Sequence, residues 1–277
     1  MQKFDKILIG IAFSPNLKPN LFEAVRLANM FQAELVGVHV GEKSEEKEQN
    51  IQAILKEADL LTTKFTPIWQ KGNPVDVILK TCKQQQIDLL ILGALQKENF
   101  YRYYVGSIAR QITRKAPCSV LLLIKPSIER QPCKKIVVNG LEDKKTVETI
   151  KTSFLIANYL NCKKITIVEE IKQEELKVKV NDDRSLRRAN INKERIETRE
   201  NRRVNNILKD IECQNFSVKT QSIFGKRGYS IGHYAQVKRA DLLVMNAPKK
   251  LGILDRIFPH DIEYILSELP TDVLIVK

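Results

Sequence analysis

Two stretches of this chain repeat one another. Ile87-Asp88-Leu89-Leu90-Ile91-Leu92-Gly93-Ala94 returns 153 residues later as Ala240-Asp241-Leu242-Leu243-Val244-Met245-Asn246-Ala247. The same offset carries Gly72 to Gly225 and Val120-Leu121 to Val273-Leu274, so residues 65–124 align with 218–277 without a gap. Nearer the N-terminus the offset is smaller. Lys6-Ile7 matches Lys135-Ile136 at 129, and Leu35–Val38 matches Ile165–Val168 at 130. The second copy therefore holds about 23 additional residues between Glu170 and Val218. A duplication on this scale means that one supersecondary plan is built twice. A chain of 277 residues has room for two such domains. They are expected at 1–126 and 134–277, joined by the polar linker 126–134, with a charged helical insert in the second near 172–212.

Each copy alternates short apolar runs with helical patterns. In the first copy the runs near 6–13, 34–41, 65–70, 87–94 and 119–125 are nearly continuous in Ile, Val and Leu. Strands covered on both faces read this way. Helical spacing occupies 19–32, 44–63, 74–86 and 106–115, and the first of these sets Leu21, Ala24, Val25, Leu27 and Ala28 on one face. Asn73-Pro74 is a helix start, with proline at the first helical position. The alternation predicts an α/β fold: two tandem domains, each a five-stranded parallel sheet flanked by helices with right-handed crossovers.

Several chemistries are excluded by residue usage. Cys82, Cys118, Cys133, Cys162 and Cys213 are odd in number and widely spaced, with no CxxC, which argues against a disulfide framework or a structural zinc. His39, His233 and His260 show no metal-ligand spacing. No apolar run approaches the roughly 20 residues of a membrane helix. The N-terminus lacks a signal-peptide pattern, so a cytoplasmic protein is expected. The net charge of +13 admits an anionic partner without naming one. No nucleophile–base pair, paired carboxylates or Walker motif can be assembled from the residues, so no catalytic or metal site is expected. His39 and Trp69 read as packing residues.

Ligands of an open parallel sheet bind beyond the carboxyl ends of its strands, where strand order reverses. The informative loop follows the fourth run: Gly93-Ala94-Leu95-Gln96, nine residues, then Gly106-Ser107 opening a helix. Amide groups at such a helix start suit a phosphate. A plain helix cap explains the same residues more simply.

The spacing Gly-x-x-Gly, nine residues, Gly-Ser resembles the nucleotide-binding signature of the universal stress protein family. Phe13-Ser14, His39-Val40, Gly72-Asn73-Pro74 and Ala116–Leu121 are similar to the family's strand ends and closing strand. The resemblance spans both copies. It implies a Rossmann-like fold and a cytosolic stress-response binding or signalling role without catalysis. It also implies an adenine-nucleotide cleft, for ATP or AMP, lined in the first copy by Val40, Leu92, Gly93, Gly106, Ser107 and Ile108. Two positions depart from the family. Gln96 replaces the second glycine, and Ala12 stands where ATP-binding members carry an aspartate at the end of the first strand. In the second copy the motif positions read Asn246, Lys249, Pro259 and His260, and Pro259 has no N–H to donate. The second copy is therefore not expected to bind nucleotide in the family manner.

The resemblance also implies that the closing strands 119–125 and 271–277 pair across a pseudo-two-fold axis, covering two apolar edges as a pseudo-dimer. The loop 97–104 mixes aromatics with cations and is expected to pack rather than to bind single-stranded nucleic acid. In the insert, arginines alternate with acids until Val204, Ile207, Leu208 and Ile211 show helical spacing. A mobile region at 181–183 and a helix docking through its last turns are expected. Two other readings stand beside the binding role: a weak nucleotide-hydrolysing protein, and a ligand-independent regulator that grips a protein partner through the basic insert.

Overall fold

The computed structural model describes residues 4–59, 64–96, 103–176, 181–248 and 261–277. Residues 97–102, and with them most of the aromatic and cationic loop, lie outside the described residues, as do Lys249, Lys250, Pro259 and His260.

The chain divides into two compact units, residues 1–132 with 266–277, and residues 133–265. The first half runs β1 (Lys6–Ile11), α1 (Leu17–Phe31), β2 (Glu34–Val40), α2 (Glu45–Glu57), β3 (Phe65–Gln70), α3 (Pro74–Gln84), β4 (Leu89–Gly93), β5 (Leu95–Gln96), β6 (Tyr103–Tyr104), α4 (Ser107–Lys115) and β7 (Ser119–Leu123). The second runs β8 (Lys135–Asn139), α5 (Thr146–Tyr159), β9 (Lys164–Lys172), α6 (Asp183–Leu208), β10 (Ser217–Gly225), α7 (Tyr229–Val237), β11 (Leu242–Asn246), α8 (Asp261–Ser267) and β12 (Asp272–Val276).

Local chemistry explains the boundaries. Ser44 caps α2 by accepting from the Lys47 amide at 3.3 Å, and Glu45, Glu46 and Glu48 lie at the positive end of the helix. Asn73 accepts from the amides of Val75 and Asp76 ahead of Pro74, which starts α3 as expected. Leu17, Leu21, Ala24, Val25 and Ala28 form the buried stripe of α1.

In the first unit the parallel strands lie in the order β3-β2-β1-β4-β7. This is the doubly wound order, and its reversal falls between β1 and β4. The inner strands are buried on both faces, as their continuous apolarity predicts, with Ile7, Leu8, Leu90, Ile91 and Leu122 at 0% exposure, and the edge strand β3 is half-buried. β12 adds antiparallel to β7, placing Leu274 opposite Leu121. The two apolar closing edges thus cover each other. Residues 266–277, expected in the second domain, group with the first unit. Tyr103 and Tyr104 are half-buried in a two-stranded ladder with β5.

The second unit repeats the plan with parallel strands in the order β10-β9-β8-β11. Its reversal lies between β8 and β11. The insert forms α6, a helix of 26 residues. Asn181–Asp183 is an ordered helix start, not the mobile region that its polar residues suggested. Asp182 accepts from the Ser185 amide at 2.7 Å, and the Ser185 hydroxyl receives the Asp182 amide in return. Nor does the helix dock through its last turns alone. Ala189, Glu200 and Val204 are all buried, and Asn192 Nδ2 donates to the Leu176 carbonyl.

All five cysteines are free thiols, and Cys82, Cys118 and Cys162 are buried. Among the described residues no helix is long and apolar enough to cross a membrane, and no group of three or more His, Cys, Asp and Glu could hold a metal ion.

Candidate functional site

Reversal of strand order opens a crevice in the first unit between the carboxyl ends of β1 and β4. Leu92 is buried on its floor, and Gly93 is exposed at the rim. A side chain at Gly93 would stand 3.0 Å from Asn20 Nδ2, so glycine there leaves room for the Asn20 amide on α1. Asn20 Oδ1 is buried and receives no hydrogen bond. Val40 ends β2, half-buried on the same edge of the sheet.

β7 is parallel to β4 and begins just after α4 ends, so α4 starts on the carboxyl edge. Gly106 is its N-cap, without a side-chain cap, and the first helical bond runs from the Arg110 amide to the Gly106 carbonyl at 2.9 Å. The amides of Ser107, Ile108 and Ala109 therefore face out of the helix end. Ser107 is exposed, and Ile108 is 46% exposed. The six positions drawn from the resemblance thus share one edge of the first unit.

Two features of this crevice were not foreseen. Asn20 is one, since nothing in the motif marks it. The other is an aromatic wall over the ends of β1, β2 and β3. Phe13 and His39 meet edge-to-face with centroids 4.9 Å apart, and His39 and Trp69 do so at 5.3 Å. His39 Nδ1 lies 3.0 Å from the Ile11 carbonyl oxygen, and Trp69 Nε1 is buried without a hydrogen-bond partner. Ala12 is exposed beside this wall and offers no acceptor to a ribose or base.

The matching crevice of the second unit is bridged by the protein itself. Asn246, the counterpart of Gly93, donates to the Thr146 hydroxyl at 3.0 Å. Lys145 Nζ spans the crevice to the carbonyls of Ala247 and Pro248, at 3.1 and 3.3 Å. From α6, Arg203 donates to the Gly140 and Leu141 carbonyls at the end of β8. Its Nε donates to Glu200 at 2.8 Å, while Arg199 donates to the other Glu200 oxygen at 2.7 Å.

Beneath Arg203, β9 carries Glu169 and Glu170 in its second half, 1% and 2% exposed, at the positions of His39 and Val40. Glu170 accepts from the Gly228 and Ile231 amides, at 2.7 and 3.0 Å, at the start of α7. The positive φ of Gly228, 79°, turns that amide onto it. Two adjacent carboxylates inside a largely apolar strand, with arginines about 30 residues downstream, were the available signal for this cluster.

Burial pushes the Glu169 carboxyl up to about 7, with the Glu200 charge adding to the rise against Ser222, Arg203 and Arg199. A folded-state value above the ordinary one means that the native protein holds the proton more tightly. Stability from Glu169 is therefore fully present below about 4.5 and lost as pH rises through about 7. Glu169→Gln is expected to gain on the wild type between pH 5 and 8, by roughly 2 kcal/mol. Urea midpoints of both proteins at the two pH values check this, and parallel midpoints would count against it.

Residues 41–123 match the model of the universal stress protein family. A universal stress protein of Methanocaldococcus jannaschii is 24% identical over 125 residues, covering 38% of this chain and 74% of its own length. Among solved structures, a universal stress protein from Archaeoglobus fulgidus is similar with a TM-score of 0.71 at 12% identity, over 100% of this chain and 99% of its own. A protein of unknown function from Pseudomonas aeruginosa gives 0.71 at 17%, over 99% and 92%. The structural likenesses show the fold along the whole chain.

Proposed function

The chain belongs, through residues 41–123, to the universal stress protein family, and on that premise we propose that it is a cytoplasmic, non-catalytic stress-response protein that binds an adenine nucleotide, ATP or AMP, in its first unit. The observation that carries this reading is the uncapped start of α4 at Gly106, facing the same edge as Gly93 and the unpartnered Asn20 oxygen. The Ser107 and Ile108 amides would hold phosphate oxygens. Val40 and Leu92 would offer apolar contact to the base. Ala12 leaves the ribose without its acidic partner, which costs about 1 kcal/mol or more and sets weak affinity.

Hydrolysis would need a group to orient and deprotonate water, and Ala12 supplies none. Phosphate release from ATP is therefore expected at background level. A steady release that depends on Ser107 would favour the hydrolase reading instead.

Ser107→Asp separates the ligand site from the fold. An aspartate in the first turn suits the helix dipole, so α4 keeps its stability, while its charge repels a phosphate. Millimolar ATP or AMP should raise the thermal midpoint of the wild type, and adenosine should raise it less. The Ser107→Asp protein should melt normally and show no such rise. Equal shifts in both proteins would reject the site.

A further inference from the structure

The cations of α6 fall into two sets. Arg199 and Arg203 turn inward onto Glu200, and Lys193 lies over the Phe224 ring. Arg184, Arg187, Arg188, Arg195 and Arg202 are exposed and form no ion pair among the described residues. Arg184, Arg188, Ile191, Arg195, Thr198 and Arg202 follow each other at alternating steps of four and three. They form one straight stripe, about 27 Å long, on the face opposite the buried residues.

This placement works against the helix. Arg184, Arg187 and Arg188 repel one another at i, i+3 and i+4. They also stand in the first two turns, where the positive end of the dipole disfavours cations. Among the described residues no ion pair offsets either cost, which leaves these arginines available to a partner. Ile191, 49% exposed, sits in the middle of the stripe. A phosphate backbone has no use for it, and Glu194 beside the stripe would repel one. An apolar residue flanked by cations on one helix face suits an acidic amphipathic helix.

We propose that the outer face of α6 is a docking surface for an acidic amphipathic helix of a partner protein. The surface is separate from the nucleotide crevice and needs no ligand there. The probe is a fluorescent synthetic helix of about 21 residues with a leucine seam flanked by glutamates, titrated by anisotropy against the full chain. Saturable binding is expected, weakened roughly tenfold or more by Arg188→Glu with Arg195→Glu, by Ile191→Asp, and by raising salt from about 50 to about 300 mM. Arg188→Ala should leave the thermal midpoint unchanged or raise it, because the exposed charge does not support the fold. Lack of saturable binding at low salt would overturn the proposal. So would binding that survives the charge reversals, a lowered midpoint for Arg188→Ala, or a DNA duplex that competes as well as the peptide.

Discussion

Leu274→Asp is expected to leave the chain unfolded or aggregated. Leu274 is 1% exposed on β12 and faces Leu121 of β7, with Val273, Ile275 and Val276 equally buried around it. Removing the leucine packing costs about 2–5 kcal/mol. Burying an unpaired carboxylate costs several more. Together these approach the whole stability of an ordinary domain, about 5–15 kcal/mol. The opened β7 edge would then present an apolar strand to other chains. Loss of the cooperative urea transition, with the protein in the insoluble fraction, is the expected result. Leu274→Met should stay within about 1.5 kcal/mol of wild type, which separates the charge from the mere change of side chain. A soluble, cooperatively folding Leu274→Asp protein would show that pairing of the two closing strands does not hold the first unit together.

The second large effect is expected at Arg203. Its guanidinium serves the Gly140 and Leu141 carbonyls and the nearly buried Glu200 at once. Arg203→Ala removes its bonds to Gly140 and Leu141 and leaves the buried Glu200 to Arg199 alone, a loss of about 1–3 kcal/mol. Adding Glu200→Leu removes that charge and should recover most of the loss, since a buried ion pair adds little over apolar packing. Chemical denaturation of the two single variants and the double variant measures the coupling directly. Additive losses would mean that α6 is not held in the second crevice by this pair. Gly140 and Leu141 end β8 at the crevice, so a weakened cluster should loosen α6 before the sheet melts, readable as faster amide exchange in residues 189–204.

Much of this architecture could be read from residue order, and the exceptions have a common cause. The third run of the first copy, 65–70, matches β3 residue for residue, although β3 is an edge strand and only half-buried. The six crevice positions came from the family resemblance, and the structure sets them along one edge of the first unit's sheet. What escaped notice depends on pairs distant in sequence. Glu200 and Arg203 look like members of a solvated helix until Gly140 and Leu141 are seen to receive them. Polar residues that pair across the fold carry no periodicity of their own, so helical spacing located Val204 and not its charged neighbours.

Each unit has one ligand edge where its strand order reverses, and in the second Lys145 and Arg203 bond the protein's own carbonyls there. Isothermal titration of the intact chain with ATP tests this contrast most directly. One nucleotide per chain is predicted, lost in Ser107→Asp and kept in Lys145→Ala, which alters the bridged crevice alone. Two nucleotides per chain, or a single site that survives Ser107→Asp and disappears with Lys145→Ala, would contradict it.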